Sequence, residues 1–221
     1  MNPSEQHRID ALALDPDARA RLLSKLRGEG VRDARVLDAM SQVPRECFVD
    51  PALRDRAYLD AALPIACDQT ISQPTVVAWM TAALDVGPRD TVLEIGTGSG
   101  YQAAVLARLA GEVFTIERHA ALAETAQARL RELGIANVRC RVGDGTLGWP
   151  EAAPFDRIIV TAAAEEVPPA LFAQLRPGGV LVAPVGSEYG DQVLLRYTKD
   201  ASGAVRAEHL MNVRFVPLIA G

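Results

Sequence analysis

The chain has 221 residues, of which 49% are hydrophobic and 23% charged, and a formal net charge of −5; this balance predicts one globular domain with a buried core and argues against nucleic acid, whose phosphates attract basic surfaces. No N-terminal hydrophobic signal segment is visible, and no apolar stretch reaches the roughly 18 residues of a membrane-spanning helix, so we expect no membrane partner. Three scattered cysteines, Cys47, Cys67 and Cys140, fit neither a disulfide framework nor a metal site, which predicts a cytoplasmic protein without a metal.

The first third of the chain carries helical patterns. Residues 18–30 and 31–44 each place apolar side chains at helical spacing, and the two segments end in glycine and proline respectively. The segment LPIACDQTISQP (63–74) is too polar for a core strand. Residues 74–84 then have the spacing of a third amphipathic helix, which begins with a proline.

From residue 91 onward, predicted strands alternate with predicted helices. The strands are TVLEI (91–95), EVFTIE (112–117), VRCRVG (138–143), DRIIV (156–160) and GGVLVAPV (178–185). Several are apolar on both faces, which is typical of a parallel sheet covered on both sides. Segments 191–198 and 208–221 lack an intervening helix and predict an antiparallel pair at one edge. The predicted fold class is therefore α/β: a doubly wound, mostly parallel, Rossmann-like sheet with an antiparallel C-terminal strand pair and added N-terminal helices.

The strongest functional motif is VLEIGTGSGYQ (92–102), where a strand runs through Gly96, Gly98 and Gly100 into a helix. Glycines at such a turn let a ligand approach the backbone closely. The GxGxG spacing differs from the GxGxxG of dinucleotide sites, and Glu94 would repel a diphosphate but attract a cation. S-adenosylmethionine, with its sulfonium and ammonium groups, fits this charge pattern.

Acidic residues also follow the next two strands. Glu117 ends the second strand, where a carboxylate can accept both ribose hydroxyls of a nucleoside; capping the following helix is the alternative. Asp144, in GDGT (143–146), can accept the exocyclic amine of adenine, although Gly-Asp-Gly alone is more often a turn. Because ligands bind at the carboxyl edge of parallel strands, the pattern predicts a class I methyltransferase core.

The methyl acceptor is indicated by what the strand ends lack. Thr161 and Ala162 stand where enzymes that methylate base amino groups carry an Asn/Asp-Pro-Pro-aromatic segment, and His7, His119 and His209 fall outside the strand-end cluster. A carboxylate is already ionised at neutral pH and needs alignment rather than a base. The pattern therefore favours a carboxyl O-methyltransferase.

The chain resembles the protein-L-isoaspartate O-methyltransferases from about residue 18 to its end. The resemblance rests on motifs in matching order: VPRECFVDP (43–51), QTISQP (69–74), VLEIGTGSGYQ, GDG, APFDRIIVTAA (153–163) and VRFVPL (213–218). It implies methyl transfer from S-adenosylmethionine, with S-adenosylhomocysteine as product, to the free α-carboxylate of L-isoaspartyl residues in damaged proteins; the ester then closes to a succinimide. Isoaspartyl proteins and peptides are the implied partners, neither nucleic acid nor a membrane, and the enzyme is expected to be a monomer.

The resemblance also implies roles for individual positions. Ser72 matches the family's active-site serine, and its hydroxyl can orient a carboxylate; apart from the resemblance, Ser72 reads as the N-cap of the helix that begins at Pro74. The implied cofactor-binding residues are Gln69, Thr70, Ile71, Ser72, Glu94, Gly96, Thr97, Gly98, Ser99, Gly100, Glu117, Arg118, Asp144 and Gly145. The implied substrate-binding residues are Ile71, Ser72, Val213, Phe215, Val216 and Pro217, with VRFVPL read as a strand.

We expect a single methyltransferase domain over 1–221. Its parts are an N-terminal helical region (1–62), a substrate and active-site loop (63–74), a cofactor-binding core (88–185) and C-terminal strands (186–221).

One segment departs from the family pattern. Ala66, Cys67 and Asp68 stand where many bacterial members have glycine, and Asp68 is expected to place a negative charge near an anionic substrate. The departure keeps open a homologous enzyme that methylates an aspartate of one dedicated peptide. A non-catalytic S-adenosylmethionine-binding protein and a dinucleotide-dependent oxidoreductase are the other hypotheses, and the glycine spacing disfavours the oxidoreductase.

Overall fold

The computed structural model describes residues 17–187 and 190–221, so the predicted region 1–62 is described from residue 17 and His7 lies outside the described residues. The α-helices of the described chain are α1 (Ala18–Gly28), α2 (Ala34–Gln42), α3 (Pro74–Leu84), α4 (Tyr101–Ala107), α5 (Ala120–Glu132) and α6 (Pro169–Gln174). Short 3₁₀ helices cover Arg45–Phe48, Pro51–Arg56, Gly145–Leu147 and Pro150–Ala152.

The strands form a small hairpin and one large sheet. The hairpin pairs β1 (Leu63–Pro64) with β2 (Thr70–Ile71). The large sheet contains β3 (Thr91–Ile95), β4 (Glu112–Glu117), β5 (Val138–Val142), β6 (Phe155–Val160), β7 (Leu175–Gly186), β8 (Gln192–Lys199) and β9 (Val205–Val213). The strand order in this sheet is β5-β4-β3-β6-β7-β8-β9. The five strands β5, β4, β3, β6 and β7 run parallel to one another, whereas β8 is antiparallel to β7 and β9 is antiparallel to β8.

The alternation of side chains along the strands gives the sheet a core on each face. Val92 packs on the side of α3 and α4, in a cluster with Met80 and Leu106. Leu93 points the other way and packs with Leu171 of α6. Burying each such side chain contributes about 1.5–3 kcal/mol, so both faces of the central strands stabilise the fold.

The N-terminal helices add a third cluster over α4. α1 buries Leu22 and Leu26, and the chain leaves it through Gly30, whose φ of 96° suits glycine. α2 begins after Asp33, whose carboxylate accepts the backbone N–H of Arg35 at 2.9 Å.

The predicted fold class is confirmed, including the antiparallel strands at one edge of the sheet. The prediction that VRFVPL continues as a strand is wrong, because β9 ends at Val213. Beyond that point the chain turns away from the sheet edge and makes an isolated bridge between Pro217 and Ala163. Since Gln192 and Ala163 bond to the backbone of this segment, it lies across the strand ends instead.

Candidate active site

A cavity lies at the carboxyl ends of β3 and β4, beside the point where the strand order reverses between β3 and β6. Its walls are the glycine loop after β3, the residues after β4, strand β2, the turn after β6 and residues 216–219. The empty volume is about 990 Å³ including the part open to solvent, which suits a nucleoside-sized molecule.

Most of the predicted site residues line this cavity or the groove next to it. The cavity is lined by Gln69, Thr70, Ile71, Ser72, Gly96, Thr97, Gly98, Ser99, Glu117, Arg118, Gly145, Val216 and Pro217 among the predicted residues. Val213 and Phe215 line a second groove, which shares Ser72 with the cavity. Glu94, Gly100 and Asp144 line neither.

The loop after β3 requires glycine at its turning points. Gly96 and Gly98 have φ values of 96° and 52°, which other residues adopt only at a cost. A Cβ on Gly96 would lie 2.5 Å from Oγ1 of Thr161, inside contact distance. The loop backbone therefore packs directly against the turn after β6, and the space above it stays open.

The Glu117 carboxylate is held in place by the backbone. One oxygen accepts the N–H of Gly98 at 2.8 Å and the other accepts the N–H of His119 at 3.0 Å. The residue is only 6% exposed. Each oxygen keeps a further lone pair, so the anchored carboxylate can accept the paired hydroxyls of a ribose.

Glu94 is not among the residues that line the cavity, and its expected contact with a cationic ligand stays a prediction. Its side chain is fully buried, and the Thr115 hydroxyl donates to Oε2 at 2.5 Å. The Thr115 hydroxyl also lies 2.6 Å from that of Thr97 in the glycine loop. Burial raises the pKa of Glu94 to about 8, and the nearby charge of Glu117 adds to the rise. Glu94 is therefore mostly neutral at pH 7. Through the Thr115 hydroxyl, it is linked to Thr97 of the glycine loop.

Asp144 is not among the residues that line the cavity either, and its expected contact with adenine stays a prediction. One carboxylate oxygen accepts the backbone N–H of Thr146 at 2.8 Å, and the other accepts the N–H of Gly221 at 3.0 Å. Hydrogen bonds from the Thr146 side chain and the Gly221 backbone lower the pKa of Asp144. Gly145 does line the cavity, and a Cβ there would lie 2.4 Å from Cγ2 of Ile95, so this position has no room for a side chain.

His119 and Thr161 are among the lining residues that were not expected from the sequence. His119 was expected to lie outside the cluster, but it follows Glu117 so closely that it forms part of the wall. Thr161 lines both the cavity and the groove. Its hydroxyl bonds to the carbonyl oxygen of Gly96 at 2.7 Å, so the residue fixes the glycine loop and offers no grip for an amino group.

Ser72 is not the N-cap of α3, which corrects the alternative interpretation of this residue. The N-cap is Gln73, and the carboxylate of Asp60 accepts the N–H of Thr75 in the first helical turn at 2.9 Å. Within residues 17–187 and 190–221, the Ser72 hydroxyl has no hydrogen-bond partner. It lies at the boundary between cavity and groove, where it can donate to a ligand.

Arg45 holds the backbone of Ser72 from behind, and sequence reasoning missed it. The guanidinium is fully buried and donates to the carbonyl oxygens of Ser72 and Ala57, each at 2.8 Å. It also lies 4.8 Å from the ring centroid of Tyr101, a residue of the cavity wall. The sequence signal that could have identified it is its place in VPRECFVDP, one of the motifs that carry the family resemblance.

The departing segment forms the exposed tip of the hairpin. Cys67 and Asp68 have φ values of 58° and 55°, so both central residues of the turn are left-handed, as in type I′ turns. The turn is closed by the N–H of Gln69, which donates to the carbonyl of Ala66 at 3.3 Å. Asp68 lines neither the cavity nor the groove, and its expected effect on substrate charge stays a prediction.

The cavity residues fit S-adenosylmethionine. A nucleoside with a charged tail needs an anchored carboxylate for its ribose, exposed backbone for its tail and apolar surface for its base. Glu117, the glycine loop, and the apolar residues Ile95, Ile116 and Leu218 provide these groups. The part of the chain that the structure describes contains no cluster of three or more metal-ligating side chains. None of its helices is long and apolar enough to cross a membrane.

Comparison with known proteins points to one family. The family profile for Protein-L-isoaspartate(D-aspartate) O-methyltransferase (PCMT) matches residues 17–221. The protein-L-isoaspartate O-methyltransferase of Azorhizobium caulinodans is 57% identical over 203 residues, which cover 92% of this chain and 93% of that protein. A solved protein-L-isoaspartate O-methyltransferase structure is 31% identical with a TM-score of 0.80, over 90% of this chain and 65% of that one. A second, from Plasmodium falciparum in complex with S-adenosyl-L-homocysteine, is 26% identical with a TM-score of 0.79, over 90% of this chain and 97% of that one.

Proposed function

This chain belongs to the protein-L-isoaspartate(D-aspartate) O-methyltransferase family, and we propose that it methylates the free α-carboxylate of L-isoaspartyl residues, using S-adenosylmethionine. The observation that carries this function is the position of Ser72, which lines both the cavity that contains Glu117 and the groove beside it. A methyl donor in the cavity and a peptide in the groove meet at this residue. The methyl ester then starts the repair of the damaged site through a succinimide.

The donor supplies an electrophilic methyl carbon on a positively charged sulfur, and transfer forms a carbon–oxygen bond to the carboxylate as the carbon–sulfur bond breaks. An α-carboxylate has a pKa of about 3.5, so it is ionised at neutral pH and the protein need not remove a proton. The contribution of the protein is therefore alignment and exclusion of water.

Ser72 supplies the alignment on the acceptor side. Its hydroxyl, which has no partner within the described residues, donates to one carboxylate oxygen and leaves the other directed at the cavity. Arg45 keeps the Ser72 backbone in register through its 2.8 Å bond to the carbonyl oxygen. Ser72 is thus an orienting donor rather than a nucleophile.

The donor side is built from the strand ends. We propose that Glu117 accepts the ribose hydroxyls, that the glycine loop lies against the amino-acid part, and that Gly145 leaves room for the adenine ring. The anchoring of Glu117 by two backbone N–H groups supports this role, because it fixes the acceptor before the ligand arrives and reduces the ordering cost of binding.

Paired peptides test the function. An isoaspartyl peptide and its aspartyl twin are incubated with the enzyme and methyl-labelled S-adenosylmethionine, and base-labile methyl ester is counted. We expect label on the isoaspartyl peptide alone. Label on neither, with calorimetric binding of S-adenosylhomocysteine retained, would instead support a non-catalytic binding protein. Label on a single aspartyl peptide would support the dedicated-peptide enzyme.

We also propose that the enzyme acts as a monomer in the cytoplasm on isoaspartyl proteins and peptides. The cavity and groove are formed by one chain, and all three cysteines are free thiols, as expected in a reducing compartment. Light scattering of the purified protein tests the monomer.

A further inference from the structure

The groove beside Ser72 contains a single charged residue, Arg214. The walls are the start of α3, the hairpin and residues 211–216, and apart from Arg214 they are apolar or uncharged polar. The chain as a whole carries a net charge of −5. Arg214 is therefore a positive charge on a protein of negative net charge, and it lies in the groove to which the proposed function assigns an anionic peptide.

Arg214 is exposed and has no carboxylate partner. Within residues 17–187 and 190–221 its guanidinium forms no ion pair and no hydrogen bond. Its donors are not used by the fold of the described chain, in contrast to those of Arg196, which donates to the carbonyl of Ala83 at 2.8 Å. The donors of Arg214 remain available to a molecule in the groove.

The backbone that carries Arg214 is fixed on both sides. It follows the last residue of β9, Val213, and precedes Phe215, whose N–H donates to the buried side chain of Gln192 at 2.6 Å. The carbonyl of Val216 accepts the N–H of Ala163 at 2.8 Å. These hydrogen bonds hold the backbone next to Arg214 and place the base of its side chain at the groove that Ser72 also lines.

We propose that Arg214 is a specificity residue that binds a substrate carboxylate in the groove. A guanidinium presents paired N–H donors in the geometry of a carboxylate. The carboxylate is either the isoaspartyl α-carboxylate itself or an acidic side chain next to it in the peptide. The inference rests on the proposed function, because it assumes that the groove receives an isoaspartyl peptide.

The test compares Arg214→Gln and Arg214→Lys with Arg206→Gln. Arg206 is exposed on β9, outside the groove. Its substitution therefore removes the same positive charge at a position that does not contact the groove. Two isoaspartyl peptides are used, one with uncharged neighbours and one with an adjacent glutamate. Methyl transfer gives kcat and KM, and anisotropy of fluorescein-labelled peptides gives Kd with S-adenosylhomocysteine bound.

Arg214→Gln should raise KM and peptide Kd by about 3- to 10-fold, since an exposed charge pair is partly screened, with kcat and S-adenosylhomocysteine affinity nearly unchanged. Arg214→Lys should recover part of the affinity. Raising the salt from about 20 to about 300 mM should weaken wild-type binding more than that of Arg214→Gln. An equal rise for both peptides assigns the α-carboxylate, and a larger rise for the glutamate peptide assigns the neighbouring side chain.

The proposal is overturned if Arg214→Gln binds both peptides as Arg206→Gln does. This failure differs from a failure of the proposed function. If the wild-type protein methylated no isoaspartyl peptide, the anisotropy experiment would still show whether Arg214 binds a carboxylate peptide.

Discussion

Glu117→Ala should weaken binding of S-adenosylhomocysteine by about 10- to 150-fold. In the native site both carboxylate oxygens are anchored, at 2.8 Å from Gly98 N and 3.0 Å from His119 N, and the group is 6% exposed. A hydrogen bond to a charged group contributes about 1.5–3 kcal/mol, and about 1.4 kcal/mol corresponds to a factor of ten in Kd. Losing the equivalent of one such bond to the ribose gives the stated range.

Isothermal titration calorimetry measures this loss, and two further variants separate its causes. Glu117→Gln keeps one oxygen but turns an amide N–H₂ toward a backbone N–H, so its loss of affinity should be smaller than that of alanine yet clear. Glu112→Gln neutralises a half-exposed carboxylate at the opposite end of β4 and should leave Kd unchanged.

The alanine variant also frees the N–H of Gly98, so part of its effect comes from a looser loop. Urea unfolding without ligand measures that part, because loop loosening lowers the free energy of unfolding whereas a lost ribose contact does not. An affinity within about twofold of wild type for Glu117→Ala, in a folded protein, would refute the ribose assignment, since one charged hydrogen bond is worth far more.

The remaining predictions concern three other positions. Ser72→Ala should lower kcat by about 10- to 100-fold through misalignment while S-adenosylhomocysteine affinity stays near wild type; steady-state kinetics with full activity would remove Ser72 from the mechanism. Burial raises the pKa of Glu94 to about 8 from an ordinary value of 4.5, so the native state holds a proton that the unfolded chain releases, and stability should fall as the pH rises between these values. Glu94→Gln should flatten that fall in urea titrations from pH 5 to 8, and an unchanged slope would contradict the raised pKa. Asp68→Gly should raise the free energy of unfolding by up to about 1 kcal/mol, because Asp68 has a left-handed φ of 55° that glycine adopts more easily; a lower urea midpoint would argue against it.

Local patterns in the sequence carried much of the fold. The strands over 91–95 and 112–117 and the helix over 74–84 were predicted with the bounds that the structure shows. Apolar periodicity and glycine or proline boundaries depend on residues that are close together in the chain. These elements can therefore be predicted from the sequence alone. The division of the single domain 1–221 into segments stays a prediction.

The contacts of individual side chains were harder to predict from the sequence than the positions of the residues along the strands. Glu94 and Asp144 stand at or next to strand ends, as predicted, but the Glu94 carboxylate bonds to Thr115, that of Asp144 bonds to Thr146, and neither residue lines the cavity. A strand position determines which face a residue occupies, whereas the partner it finds there comes from another strand or turn.

The sequence by itself therefore determined the order of the elements, the glycine loop and the strand-end place of Glu117, because those follow from neighbours along the chain. Only the tertiary structure decided that the Asp60 carboxylate accepts an N–H of the first turn of α3, that Arg45 is buried behind Ser72, and that Arg214 lines the groove. Each of these depends on residues far apart in sequence, and a hydroxyl or guanidinium takes the partner that folding brings within reach. The proposed active-site role of Ser72 depends on such distant contacts.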